Sequence, residues 1–290
     1  MVGVELNGRL GNQMFEYAFI YANSKEKETT YFLLKKGSPI ELYKYFKLEN
    51  SLFISIDRLI FNTASCKLFF SHYARGFFYA IIKKLYINNV SQIDNTEEPT
   101  LADIKRDATI YYGYFQSPLY FAGHQQGIKS LFEIKDSIIS KYRTKFKFLF
   151  RKHVVAVHIR KTDYLDLEHL NLGGKDLSLP IEYFKKIISG IHSEDNFYVF
   201  LSDDIDLVKS AFSYLENSFF SKDTAINDFL HLYFAKTLII SNSSFSWWAA
   251  YLNKNEEKEI YCPKYFLGHL IKKEYPTKIY PSNWHQIEVN

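Results

Sequence analysis

The sequence predicts an α/β protein made of two halves, each built on a parallel sheet covered by helices. Three observations carry this. Compact apolar runs alternate with segments of helical spacing through the second half of the chain. The first half opens the same way, with strand, glycine-containing loop and helix in succession. Polar clusters recur in the loops that follow strands, where open α/β sheets bind ligands. A basic segment, FKFLFRKH (146–153), separates the two patterns, so the expected domains are 1–150 and 151–290.

VGVE (2–5) reads as the first strand, LNGRLGN as a loop, and QMFEYAFIYANSK as a helix. TYFLL (30–34) is the next strand. Residues 40–100 read as mostly helical. ATIYYG (108–113) is a strand, and SPLYF (117–121) starts a helix. In the second half, the Val-rich run VVAVHI (154–159) is a buried strand. IEYFKKIISGIH (181–192) has helical spacing, with Pro180 at its start. FYVFLS (197–202) is a strand. Ser202, Asp203 and Asp204 precede IDLVKSAF as a capped helix start. NSFFS (217–221), LIIS (238–241) and EIYC (259–262) complete the strands, with helices at 225–237 and 243–253.

Bulk composition narrows the function. With 290 residues and 47% apolar content, the chain can bury a sizeable core. A formal charge of +4 falls short of a nucleic-acid-binding signature and suits a site for a small polyanion. Cys66 and Cys262, alone and in unlike contexts, argue against a disulfide framework or a cysteine zinc site and fit a cytoplasmic protein. The opening segment has neither a basic leader nor an unbroken apolar stretch, so no signal peptide is expected. No apolar run reaches membrane-spanning length. SLFISIDRLIF, CKLFF and GFFYAIIKKLYI (within 51–90) are expected to be packed helices, with peripheral contact to an inner membrane as the alternative.

Four loops after strands carry candidate chemistry. In GRLGNQ (8–13), glycines allow close backbone approach to a ligand. Arg9 adds charge, and Asn12 and Gln13 add amide donors at a helix start. A plain glycine turn explains the same residues. In HIRKTD (158–163), the Arg160 guanidinium can fork onto phosphate, and His158 can bond a base or phosphate. Asp163 can orient Arg160 or act as a base; a structural Arg160–Asp163 ion pair is equally open. LSDDID (201–206) contains the acid pair Asp204 and Asp206, which fits a helix first turn better than a metal site. ISNSSFSWW (240–248) places hydroxyls and free N–H groups at a helix start, an anion site, with Trp247 and Trp248 expected in the core.

GRLGNQMFEYA, GYFQS (113–117), HIRKTDY, FLSDD and SNSSFSWWAAYLN occur in this order over almost the whole chain. Together they resemble the bacterial α-1,2-fucosyltransferases of glycosyltransferase family 11, within the wider α-1,2, α-1,6 and protein O-fucosyltransferase superfamily. Two positions depart from the family pattern. Lys161 stands where a second Arg is usual, keeping charge but losing the bidentate fork. Thr162 replaces the usual Gly of the α-1,2 group and resembles the α-1,6 branch.

The resemblance implies a GT-B fold, two Rossmann-like domains facing a central cleft. It implies inverting, metal-independent and cofactor-free transfer from GDP-β-L-fucose to the 2-hydroxyl of a terminal galactose in a glycan. In family terms His158 and Asp203 contact guanosine, Arg160 the β-phosphate, and Ser243, Ser244 and Phe245 the diphosphate. Arg9, Gly11, Asn12 and Gln13 lie over the fucose and phosphates. The base is open between Asp163 and Glu168, the latter placed as the α-1,6 enzymes place an essential acid. The glycine pair Gly173–Gly174 would let that loop close.

Overall fold

A computed structural model of the protein describes residues 1–26, 29–34, 40–48, 55, 70–96, 99 and 107–290. The chain divides into two compact units, Met1–Lys135 and Asp136–Asn290.

Unit 1 is built on a four-stranded sheet, all parallel, in the order β2-β1-β4-β3. Its strands are β1 (Val2–Glu5), β2 (Tyr31–Leu34), β3 (Asn89–Gln92) and β4 (Thr109–Tyr112). β1 and β2 are buried along their whole length, as expected where helices cover both faces of a parallel sheet. The helix Leu10–Glu26 follows β1 and buries Met14, Phe15, Ala18 and Phe19. Phe19 stacks on Phe115 at 3.8 Å between ring centroids, which ties the helix to the loop after β4.

Within the stretch read as helical, Leu42–Tyr45 and Phe70–Tyr86 are helices, while 49–54 and 56–69 lie outside the described residues. The longer helix lays Tyr79 and Ile82 on the sheet beside Phe32, Leu34 and Ile110. Its Phe77, Ile81 and Leu85, spaced four apart, are exposed. The strand β3 has no counterpart in the sequence reading. It lies at a sheet edge with mostly exposed residues, so NVSQ lacks the apolar run that marks a buried strand.

Unit 2 holds a six-stranded parallel sheet in the order β10-β9-β8-β5-β6-β7. The strands are β5 (His153–Ile159), β6 (Asn196–Ser202), β7 (Ser218–Phe220), β8 (Thr237–Ile239), β9 (Glu259–Pro263) and β10 (His285–Ile287). Counted within the unit, this is the order 3-2-1-4-5-6 of dinucleotide-binding Rossmann sheets. Helix Ile181–Gly190 buries Tyr183, Phe184, Ile187 and Ile188 in one core with Val155, Val157 and Ile159 of β5 and Tyr198 and Phe200 of β6. β10 was also not legible, because a three-residue strand with two exposed residues carries no pattern.

Residues 136–151 cluster with unit 2, so the division falls nearer Lys135 than the basic segment. The reason is packing. Tyr142 and Phe146 are buried against His231 of helix Ala225–Phe234, with the Tyr142 hydroxyl 2.8 Å from His231 Nδ1.

Candidate functional site

In a sheet of order 3-2-1-4-5-6 the chain leaves the first strand toward one side and later crosses to the other. A crevice therefore opens between the first and fourth strands at their carboxyl ends. Here those strands are β5 and β8. The HIRKTD and SNSSFSWW loops are the segments that leave them, so both motifs meet at one place.

The contact is direct. His158, the penultimate residue of β5, places Nδ1 2.9 Å from the Ser241 hydroxyl just past β8. Burial, then the Arg160 charge, push the His158 pKa down to about 3, with Asp203 opposing. The ring is therefore a neutral imidazole at physiological pH, and Nε2 is the nitrogen left for a ligand. Phe245, from the helix after β8, lies beside it with ring centroids 5.7 Å apart. One loop further, the Tyr164 hydroxyl donates to the Asn242 carbonyl at 2.8 Å, and Asn242 Nδ2 donates to Leu177 O at 2.8 Å. Ser241 and Tyr164 were not singled out in the sequence, and Asn242 was read only as one of the polar residues that open the helix after the strand. Ser241 and Asn242 sit inside a quoted motif, but their partners lie 83 and 65 residues away.

Arg160 is held by two carboxylates. Its Nη2 bonds Asp163, and its Nε lies 3.4 Å from Asp203. Asp203 also accepts from the amide of Lys161 at 2.9 Å, the amide of Thr162 at 3.0 Å and the Thr162 hydroxyl. Burial raises the Asp203 pKa, but the Thr162 hydroxyl, the two amides and the Arg160 charge outweigh it and hold the carboxyl below its ordinary range. Asp203 thus fastens the HIRKTD loop; the contact with guanosine implied by resemblance would have to use what this network leaves. Lys161 turns the other way. Its ammonium donates to Ser178 Oγ at 3.1 Å and to Leu179 O at 2.6 Å, tying down the return of the next loop. Thr162, the other departure from the family pattern, contributes the hydroxyl that Asp203 accepts.

That loop, 165–176, is closed at its neck by Leu177 N to Tyr164 O at 2.9 Å and Leu167 N to Lys175 O at 2.8 Å. Glu168 is exposed in its turn Glu168–Leu170, with no side-chain partner among the described residues. Asp163 is bonded to Arg160. Gly173 has φ +95°, and a Cβ there would come within 2.7 Å of Ile271 Cγ2. The glycine is therefore required for the loop to lie against the turn Leu267–Ile271.

The helix Ser244–Leu252 starts at the crevice. Ser243 is its N-cap residue, but its side chain makes no capping bond. The first-turn N–H groups and the Ser243 and Ser244 hydroxyls form the positive end of the helix there. Trp247 and Trp248 are fully buried, and Trp247 Nε1 donates to Ile279 O at 2.9 Å. They are core, as expected. The acid pair is structural: Asp204 caps the helix Ile205–Phe212 through Leu207 N, and Asp206 pairs with Lys222 at 2.9 Å. Among the described residues, no three His, Cys, Asp or Glu side chains gather as a metal site would.

Unit 1 repeats the arrangement in smaller form, with β1 and β4 adjacent and the chain crossing between them. The helix begins at Leu10, so Gly11, Asn12 and Gln13 are in its first turn and Arg9 is exposed just before it. Gly8 has φ +63°, and a Cβ there would meet Asn12 Nδ2 at 2.6 Å. Buried Glu16 accepts the Asn7 amide with both oxygens, at 3.0 and 2.8 Å, fixing the loop from below. Asn12 Oδ1 accepts from Gln116 of the GYFQS segment at 3.0 Å, and Gln116 accepts from Asn95 at 3.1 Å. Gln13 points inward. Its amide donates to Gly8 O at 3.1 Å and accepts from Glu41 N at 3.0 Å, so this side chain shapes the loop from the interior.

Comparisons with known proteins bear on the family and the fold. The sequence profile described as glycosyl transferase family 11 matches residues 1–288. An O-antigen biosynthesis glycosyltransferase of Escherichia coli, WbnK, is 26% identical over 293 residues, covering 91% of this chain and 94% of its own. An alpha-1,2-colitosyltransferase of Escherichia coli is 28% identical over 271 residues, covering 87% of each chain. Among solved structures, POFUT1 in complex with GDP superposes with a TM-score of 0.51 at 13% identity, covering 89% of this chain and 96% of that one. At that identity the likeness shows the fold, GT-B, with two Rossmann-like units.

Proposed function

We propose that this chain, which belongs to glycosyl transferase family 11, moves L-fucose from GDP-β-L-fucose to the 2-hydroxyl of a terminal galactose in a surface polysaccharide. The observation that carries the reading is the meeting of His158, Arg160 and the start of helix Ser244–Leu252 at the β5/β8 crossover. A nucleoside diphosphate is the ligand this chemistry suits. A neutral imidazole and the Phe245 ring offer a hydrogen bond and a face. A fixed guanidinium and the positive end of helix Ser244–Leu252 offer positive potential for phosphate.

Transfer with inversion places the acceptor oxygen in line with the bond from the sugar's anomeric carbon to the β-phosphate. The C–O bond to phosphate breaks, the new glycosidic bond forms, and the acceptor proton passes to a carboxylate or to solvent. Charge grows on the departing GDP, so the group that matters is the one aimed at that oxygen, Arg160, aided by the Ser243 and Ser244 hydroxyls. By the resemblance, Arg9, Gly11 and Asn12 of unit 1 are assigned to the fucose and phosphates of the donor. Gln13 acts by shaping that loop. The decisive assay incubates the protein with GDP-fucose and a galactose-terminated glycan, then reads product mass and linkage. Donor binding without product would make the chain a sugar-nucleotide binder, and another linkage would move it toward the α-1,6 branch.

A second donor follows from the relative named an alpha-1,2-colitosyltransferase. Competition between GDP-fucose and GDP-colitose for one limiting acceptor separates the two by the mass of the product.

The reaction is proposed to need no metal, because Arg160 and the helix start supply the positive charge a cation would otherwise bring. Full transfer rate is expected after extensive dialysis against EDTA. A rate lost in EDTA and restored by Mn²⁺ would sink this point.

Glu168 is assigned as the acceptor base ahead of Asp163. Asp163 is taken up in bonding Arg160, whereas the Glu168 carboxylate is exposed and unengaged among the described residues. Glu168→Gln is expected to cut transfer by about 100-fold with GDP binding unchanged. A normal transfer rate across pH in that variant passes the role to Asp163.

A further inference from the structure

The basic segment between the two sequence patterns takes no part in the site above, yet it is the most concentrated charge in the chain. From Ser137 to His153 there are six Lys and Arg residues and no Asp or Glu. Lys145 pairs with Asp223. Lys141, Arg143, Lys147, Arg151 and Lys152 are exposed and have no carboxylate partner among the described residues.

Two phenylalanines stand among these cations. Phe148 is 44% exposed and Phe150 is 43% exposed. Both rings are anchored from below. Phe148 lies edge-on to Phe197 and Phe219, each 6.2 Å away, and Phe150 packs on Phe234 at 5.4 Å with Arg143 over its ring. Buried Tyr142, Phe146 and Leu149 hold the segment to the unit, so the cations and exposed rings form a built surface rather than a loose tail. Lys145, Lys147, Phe148, Arg151 and Lys152 line a shallow hollow in it.

The surface lies at the amino end of the sheet, where Lys152 leads into β5 and Phe197 is the second residue of β6. The crevice is at the carboxyl end, about 20 Å away for a seven-residue strand at roughly 3.3 Å per residue. It is therefore a second surface with its own ligand chemistry. Cations alone attract any polyanion. Exposed rings set between unpaired cations suit one surface in particular, in which anionic groups overlie an apolar layer.

We propose that Lys141–Lys152 is a docking surface for a membrane rich in anionic phospholipid. The cations meet the headgroups, and Phe148 and Phe150 enter the boundary beneath them. Docking of this kind is peripheral, as no described helix is long and apolar enough to cross a membrane. It is independent of the transfer reaction and stands or falls separately from it.

The test is co-sedimentation of the full chain with vesicles of phosphatidylcholine alone, and of phosphatidylcholine mixed with phosphatidylglycerol. Binding is expected only to the mixed vesicles, with release at high salt. Lys147→Glu/Arg151→Glu is expected to weaken it on the order of 30-fold, since each basic residue near an anionic surface is worth roughly fivefold. Phe148→Ser is expected to weaken binding while keeping its salt dependence. Unchanged thermal melting in both variants shows that folding is intact. Equal, weak binding to both vesicle types would overturn the proposal. So would binding to mixed vesicles that survives both variants, which would place the contact elsewhere, as on the exposed Phe77, Ile81 and Leu85. Self-association abolished by the same variants, without vesicle binding, would assign the surface to a second copy of the chain.

Discussion

Arg160→Ala is expected to lower kcat by about 100-fold or more, and Arg160→Lys to recover little of it. The guanidinium is pinned between Asp163 and Asp203, so its remaining donors keep a fixed direction before the donor substrate arrives. Such preorganisation acts on the charge that grows as GDP departs, so the loss belongs in kcat. A lysine has one nitrogen, and it cannot bond Asp163, approach Asp203 and face phosphate in a fixed geometry. The measurement is steady-state kinetics at saturating acceptor over a range of donor concentration. A raised KM with kcat near normal would mean that Arg160 holds the ground-state donor and adds nothing specific to the transition state.

The second large effect is expected away from the diphosphate. Asp203→Asn removes the charge that fastens Lys161, Thr162 and Arg160. An amide presents one oxygen where the carboxylate presents two, and its NH2 faces a backbone N–H or the Thr162 hydroxyl. The loop should loosen and Arg160 should lose its direction. kcat is expected to fall by roughly 10- to 100-fold, and stability by about 2 kcal/mol. Acid melting separates the two consequences. The folded-state carboxyl is held below its ordinary value of 3.8. The unfolded chain therefore binds the proton first as pH falls. Stability from this group is present above about pH 3.8 and is lost as pH drops through the lowered folded value. The melting temperature of the parent protein should fall more steeply below pH 4 than that of Asp203→Asn. Parallel curves would show that Asp203 contributes no charge-dependent stability.

The fold was legible where burial leaves a pattern. VVAVHI and FYVFLS follow from their apolar runs, because both faces of the sheet are covered, and the helix at 181 follows from the spacing of its buried face, Tyr183, Phe184, Ile187 and Ile188. β3 and β10 were not, since edge and terminal strands with exposed residues need no such run. The site was legible as loops but not as bonds. His158 and Arg160 stand out as residue types after a strand, whereas the link from His158 to Ser241 depends on strand order. Asp203 was placed by resemblance against guanosine; its hydrogen bonds reach back 41 and 42 residues to a loop that sequence spacing cannot connect to it. Gln13 shows the opposite limit. Its position in a glycine loop suggested a ligand contact, yet its amide is drawn inward by Gly8 and Glu41.

The strand order of unit 2 also bears on how the protein comes into being. β5 pairs with β6, the next strand in the chain, but its other neighbour, β8, is some 80 residues away along the chain. Closing that long loop has to be done before the pairing offers any return, so parallel sheets of this kind fold slowly. The crevice cannot exist until β8 has docked, and the same holds on the ribosome until that strand has emerged. In refolding from denaturant, helix content should therefore recover before affinity for GDP does. The interval between the two is the time for which the apolar flank of β5 stands uncovered, and it is when chaperone help or aggregation would be decided.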